Sequence, residues 1–212
     1  MPRFNPLCRL CPRIDKFLDT VRKHYPDYHA EPVPPFGEDQ AQLFIVGLAP
    51  GLHGANATGR PFTGDFAGIL LYQTLYQFGF ANRSVSEYVH DGLVLHNCRI
   101  SNAVKCVPPA NKPTGAEISN CNAYLRTELK GLPGGALVLA LGRIAHNAVI
   151  KAMDLKQKDF PFGHGRHYVL SADLDMLDSY HCSRYNTQTG RLTPKMFQDI
   201  FNKVHEILDI SI

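Results

Sequence analysis

The chain has 212 residues, 44% of them hydrophobic and 19% charged, with a formal net charge of +3. This composition describes a globular chain long enough to bury a core, and it excludes the disordered and collagen-like classes. The small basic excess permits contact with phosphate backbones without requiring it, and the ten histidines add charge only if the pH falls or their pKa values rise.

Met1 to Arg13 holds no apolar stretch of signal-peptide length, and no apolar run elsewhere approaches the roughly 20 residues of a membrane span, so a cytoplasmic, intracellular protein is expected. Ile14, Phe17, Leu18 and Val21 recur at helical spacing, which predicts a helix from Arg13 to His24, ending before Pro26. A proline-rich passage, Pro32 to Pro35, follows. Leu43 to Val46 is a short apolar run that stops at Gly47 and reads as a buried strand delivering its C-terminal end to a glycine-rich loop, Gly47 to Gly64. Phe66, Ile69, Leu70, Leu75 and Phe78 then return to helical period.

Leu93 to Ile100 reads as a second strand, and Thr114 with Glu117 as a capping box opening a helix that carries Ile118, Cys121, Tyr124, Leu125 and Leu129. Ala136 to Leu141 predicts another buried strand and Ile144 to Met153 a helix. Tyr168 to Leu170 and Met176 to Tyr180 are read as strands that pair. Thr193 caps a last helix with Pro194 at its first position and an apolar face of Met196, Phe197, Ile200, Phe201, Val204 and Leu208. Strands alternating with helices predict an α/β fold, a three-layer αβα sandwich around a mostly parallel sheet, with ligands beyond the strand C-termini.

Three segments carry chemistry. The first is Gly47-Leu48-Ala49-Pro50-Gly51 continuing through Thr58-Gly59-Arg60-Pro61-Phe62-Thr63-Gly64-Asp65, where missing side chains let backbone amides approach a ligand. The second is Ser101-Asn102-Ala103-Val104-Lys105-Cys106. The third is His181-Cys182-Ser183-Arg184-Tyr185-Asn186, with Thr189-Gly190-Arg191. Taken singly, Phe62 could be a core residue, Asn102 a turn or cap residue, His181 structural and Asp65 a helix cap.

Together, in this order, the segments resemble the motifs of the family 5 uracil-DNA glycosylases, the UDGb group, and less closely those of family 4. Family 4 enzymes usually carry glutamate after the first glycine of the opening motif; Leu48 stands there here, which favours family 5. Cys182 stands where the late motif usually has proline.

The resemblance implies a single uracil-DNA glycosylase-like domain over residues 1–212 with an N-terminal cluster-binding arm. It implies a monofunctional base-excision repair enzyme that acts as a monomer on DNA containing uracil or other deaminated bases. It also implies that Phe62 stacks on the extruded base, Asn102 reads its edge, and His181 stabilises the departing anion, within a substrate site that includes Gly47, Ala49, Gly51 and His53. Asp65 is the candidate catalytic carboxylate because Leu48 has no acid; His53 and Asn56 are second candidates. Arg184, Asn186 and Arg191 are expected at the DNA, one arginine at least on a phosphate. A family 4-like uracil-specific enzyme, a non-catalytic damaged-DNA-binding protein and a cluster-containing nucleotide-binding protein remain as alternatives.

Cys8 and Cys11 form C-x2-C, and Cys106 and Cys121 form C-x14-C. Four soft thiolates suit zinc or an iron–sulfur cluster, and spacing alone does not choose. The resemblance implies a structural [4Fe–4S] cluster on these four, leaving Cys98 and Cys182 as small buried hydrophobes.

Overall fold

The computed structural model describes residues 4–210. Among them, six strands form one sheet: β1 (Phe36–Gly37), β2 (Leu43–Gly47), β3 (Cys98–Asn102), β4 (Ala136–Leu141), β5 (His167–Ser171) and β6 (Leu174–Ser179), in the spatial order β1-β3-β2-β4-β6-β5. The inner four run parallel, and β1 and β5 pair antiparallel at the two edges.

Strand β2 shows why the sheet is covered on both faces. Its side chains alternate between faces, so Leu43 and Ile45 join one core while Phe44 and Val46 join the other. The first core is closed by α3 (Phe66–Gln77), through Leu71 and Leu75, and by α7 (Pro194–Leu208), through Phe197 and Phe201. The second is closed by α4 (Gly115–Lys130) and α5 (Arg143–Ala152), through Leu125, Leu129, Ala145 and Val149. This is the α/β sandwich with a mostly parallel sheet that the alternation of patterns predicts.

Helix α1 (Pro12–His24) packs outside these layers. Ile14, Leu18 and Val21 meet Val104, Val107 and Tyr124 in a third apolar cluster. Helix starts follow local chemistry: Thr114 and Glu117 form the full capping box of α4, and Thr193 accepts the Met196 amide at the start of α7.

Two readings need correction. The second strand begins at Cys98, not Leu93. Leu95 only bridges to Ala81, and Asn97 turns the chain with φ 46° while its side chain accepts the Gln42 amide at 2.8 Å. The late loop also contains a short helix, α6 (Arg184–Gln188), whose N-cap Ser183 accepts the Asn186 amide. All four inner strands end on one side, so the segments after Gly47, Asn102, Leu141 and Ser179 converge there.

Candidate active site

The loop leaving β2 folds back on itself. Its one-turn helix, α2 (Ala55–Thr58), stops at Gly59 with φ 82°, and the chain returns so that the Asp65 carboxylate accepts the Ala55 amide at 3.1 Å. Asp65 is the N-cap residue of α3, but its side chain makes no capping hydrogen bond there and turns to the loop instead. Carboxylate and loop are in such close contact that a Cβ on Gly54 would land on the carboxylate itself.

The returning arm is fixed from outside. Tyr72 donates its hydroxyl to the Pro61 carbonyl at 2.7 Å, the Thr63 and Ser86 hydroxyls meet at 2.6 Å, and buried Arg60 pairs with buried Asp91 at 2.9 Å. Asp91 in turn accepts the amides of Glu87 and Leu93. These anchors hold Phe62 at φ 58°, a conformation that bulky residues rarely adopt and that surrounding contacts must enforce.

Phe62, Asn102 and His181 meet. Register places Gly47 beside Asn102 at the ends of β2 and β3, and a Cβ on Gly47 would collide with both the Asn102 amide and the Phe62 ring. The Phe62 and His181 rings are stacked, with centroids 5.9 Å apart and planes 26° from parallel. All three side chains line one open cleft of about 640 Å³, as do Asp65, Ala49 and Gly51. Phe62 is only 5% exposed and belongs to the core cluster as well, so the core and functional readings of this residue hold together.

Burial sets the electrostatics. It pushes the Asp65 carboxyl upward, against the amides of Ala55 and Gly51, which favour the charged form. It pulls His181 down to about 4, so the imidazole is neutral at physiological pH. Nδ1 of His181 is buried and has no partner among the described residues, while its carbonyl accepts from the Asn186 side chain at 2.8 Å.

The cleft wall carries cations. Arg184 lies over the Phe66 ring at 5.0 Å and Arg191 over the Tyr180 ring at 4.7 Å. Arg143, the first residue of α5, also lines the cleft. Among the described residues none of the three forms a salt bridge, and all are exposed. Their charge is available to an anion.

Two expected substrate residues lie elsewhere. Gly47 sits behind the cleft, making room for Asn102 and Phe62, and does not line it. His53 is not in the cleft wall; its Nδ1 meets the Tyr28 hydroxyl at 2.9 Å, edge-on to Tyr25 and Tyr28. Asn56 is wholly buried, and its side chain reaches only the Leu52 carbonyl. Sequence motifs did not single out Arg143, Phe162, Tyr180 or Asn111, which also line the cleft. For Arg143 and Tyr180 a signal existed, since each stands just past the end of a parallel strand.

Cys8, Cys11, Cys106 and Cys121 line a separate pocket between α1, α4 and the segment after β3, together with Ile14, Val104 and Tyr124. The Lys105 amide donates to the Cys121 sulfur at 3.2 Å and the Asn120 amide to that of Cys11 at 3.6 Å. Burial and the neighbouring sulfurs push the Cys106 thiol far up and the Cys121 thiol to about 11. Carried as thiolates, the four would need a cationic group among them. Among the described residues no three His, Cys, Asp or Glu side chains close on one point as a single ion requires. Cys98 and Cys182 are wholly buried in the first core, away from this pocket.

A family model described as "Uracil DNA glycosylase superfamily" matches residues 34–205. A type-5 uracil-DNA glycosylase of Thermus thermophilus is 44% identical, over 91% of this chain and 90% of its own length. A type-5 uracil-DNA glycosylase of Pyrobaculum aerophilum is 38% identical, over 92% of this chain and 87% of its own. A type-4 uracil-DNA glycosylase of Saccharolobus solfataricus is 28% identical, over 92% of this chain and 86% of its own.

Proposed function

The chain belongs to the uracil DNA glycosylase superfamily, and from that premise we propose that it hydrolyses the N-glycosidic bond of uracil and of other deaminated bases in DNA, leaving the strand uncut. The observation that carries this reading is the convergence of Phe62, Asn102 and His181, distant in sequence, on one open cleft that the half-buried Asp65 also lines.

Breaking the bond leaves positive charge on the sugar and sends the electron pair away with the base, so a site must meet charges of both signs. The base must first leave the helix stack. In this reading Phe62 stacks on the extruded base and the Asn102 amide, a donor and an acceptor together, pairs with its edge. His181, held neutral by burial, donates a hydrogen bond to the base as it becomes an anion. Asp65 orients the water that adds to the sugar and offsets the sugar's charge. Ala49 and Gly51 line the same cleft. Arg184 and Arg191 contact phosphates, and Asn186, tied to the His181 carbonyl, shapes the loop against the DNA.

Strand cleavage would need a lysine at the sugar. The lysine nearest Asn102 by sequence, Lys105, is buried and paired with Glu128, which supports a monofunctional enzyme. Four soft cysteine sulfurs lining one pocket support the reading of a [4Fe–4S] cluster, which takes one thiolate per iron. Cys8, Cys11, Cys106 and Cys121 would hold it, and when bound it would supply structure, tying the N-terminal arm to the segment after Asn102. Among the described residues no helix is long and apolar enough to cross a membrane. We place the enzyme in the cytoplasm at the nucleoid, as a one-domain monomer.

Duplex oligonucleotides carrying a single uracil, hypoxanthine or xanthine, incubated with the protein and then cleaved with alkali, test the reading. Alkali-dependent breaks at all three are expected. Breaks at uracil alone would indicate a uracil-specific enzyme, and binding without breaks over hours would indicate a lesion-binding protein.

A further inference from the structure

Asn102 owes its place to its backbone. Its side chain packs against Gly47 at the cleft and makes no hydrogen bond to protein among the described residues, so no hydrogen bond at its tip fixes where it points. What remains is the main chain at the end of β3: the pairing with Gly47, the Ala103 amide on the Gly47 carbonyl at 2.9 Å, and one further bond to the Asn102 carbonyl.

That bond comes from a buried lysine. Lys105 is 2% exposed, and its ammonium donates to the Asn102 carbonyl at 2.9 Å, the Ser101 hydroxyl at 2.5 Å and the Glu128 carboxylate at 2.7 Å. An ammonium has three donors, and all three are used on this side of Asn102. Glu128 lies on α4 and also accepts from the Ser101 hydroxyl at 3.0 Å. The lysine therefore straps the end of β3 to the helix beneath it.

Burying such a pair is costly and rarely the cheapest way to fill space, since apolar residues of equal volume often stabilise a fold as well or better. The geometry here offers a reason for retaining it. We propose that Lys105 is a positioning residue that fixes the Asn102 main chain, and thereby the angle at which the Asn102 amide meets the base. This rests on the reading of Asn102 as the base-reading group. It assigns Lys105 no contact with substrate and no proton transfer.

The experiment is a double-mutant cycle on the purified protein with its metal content matched to wild type. Single-turnover uracil release is measured for wild type, Lys105→Met, Asn102→Ala and the double variant, alongside binding to a duplex with a tetrahydrofuran abasic site, which offers no base to read. Lys105→Met is expected to slow release at least tenfold while abasic-duplex affinity stays within about twofold. In the Asn102→Ala background the same change should slow the residual rate less than twofold, because the lysine acts through the asparagine. Equal slowing in both backgrounds, or an unchanged rate in the folded Lys105→Met protein, would overturn the proposal. Uracil release by wild type stands apart from these outcomes, so failure of the cycle leaves the enzymatic reading intact. If Lys105→Met does not fold, Glu128→Gln, which keeps the ammonium but weakens its anchor, is run through the same cycle. A rate loss confined to the Asn102 background supports the proposal, and a loss independent of Asn102, or no loss, refutes it.

Discussion

At the scale of single residues the account turns on Asp65 and His181. Asp65 is drawn out of a capping role and held against the loop that it also lines. Asp65→Ala should abolish uracil release in single-turnover assays and leave duplex binding nearly unchanged; an unaltered rate would return Asp65 to a purely structural part. Gly54→Ala should slow release as well, since its new methyl group must displace the Asp65 carboxylate. His181 has the opposite electrostatic character. Its folded pKa lies near 4, below the ordinary 6.5 of the unfolded chain, so the unfolded state binds more protons between those values. Its contribution to stability is therefore complete above pH 6.5 and is lost as pH falls toward 4. Thermal melting across that window should show a steeper loss for wild type than for His181→Gln, and parallel curves would contradict the buried neutral imidazole.

At the scale of elements, what the chain made legible is what local chemistry controls. The Thr114–Glu117 box and the Thr193–Pro194 start appear where the residues put them, because a cap is settled by its own neighbours. Strands β2 and β4 are legible because an unbroken apolar run, four residues in β2 and six in β4, suits a strand covered on both faces. The start of β3 was hidden, because Leu93 and Leu95 are buried by tertiary contacts and not by strand pairing. The one-turn helix α2 and the two-residue strand β1 are too short to leave a period. Helix α6 was concealed for the same reason, yet it matters for function, since it carries Arg184 at its first position. Arg184→Ala or Arg191→Ala should weaken DNA binding and flatten its dependence on salt by about 0.9 in the log–log slope for each phosphate that the variant no longer neutralises. Slopes identical to wild type for both variants would take this wall of the cleft away from the DNA.

At the scale of the molecule, the parallel strands explain why motifs more than a hundred residues apart become one site. The ends of β2 and β3 lie side by side and β4 and β6 end on the same edge, so residues just past each strand share a cleft whatever their separation in sequence. The three cleft motifs were legible as motifs, whereas Arg143 had only its place just past the end of β4 to point to it. The cysteine pocket makes a separate claim on composition: the purified protein should contain about four irons per chain with visible cluster absorbance, and stoichiometric zinc without iron would reverse that assignment. The central claim, that the cleft between Phe62, Asn102 and His181 receives the base, is met most directly by a crystal structure of the protein with uracil-containing or abasic DNA and free uracil. The account predicts uracil lying on the Phe62 ring with its edge within hydrogen-bond distance of the Asn102 amide and a carbonyl oxygen facing His181; uracil bound outside that cleft, or a cleft that stays empty at saturating uracil, would contradict it.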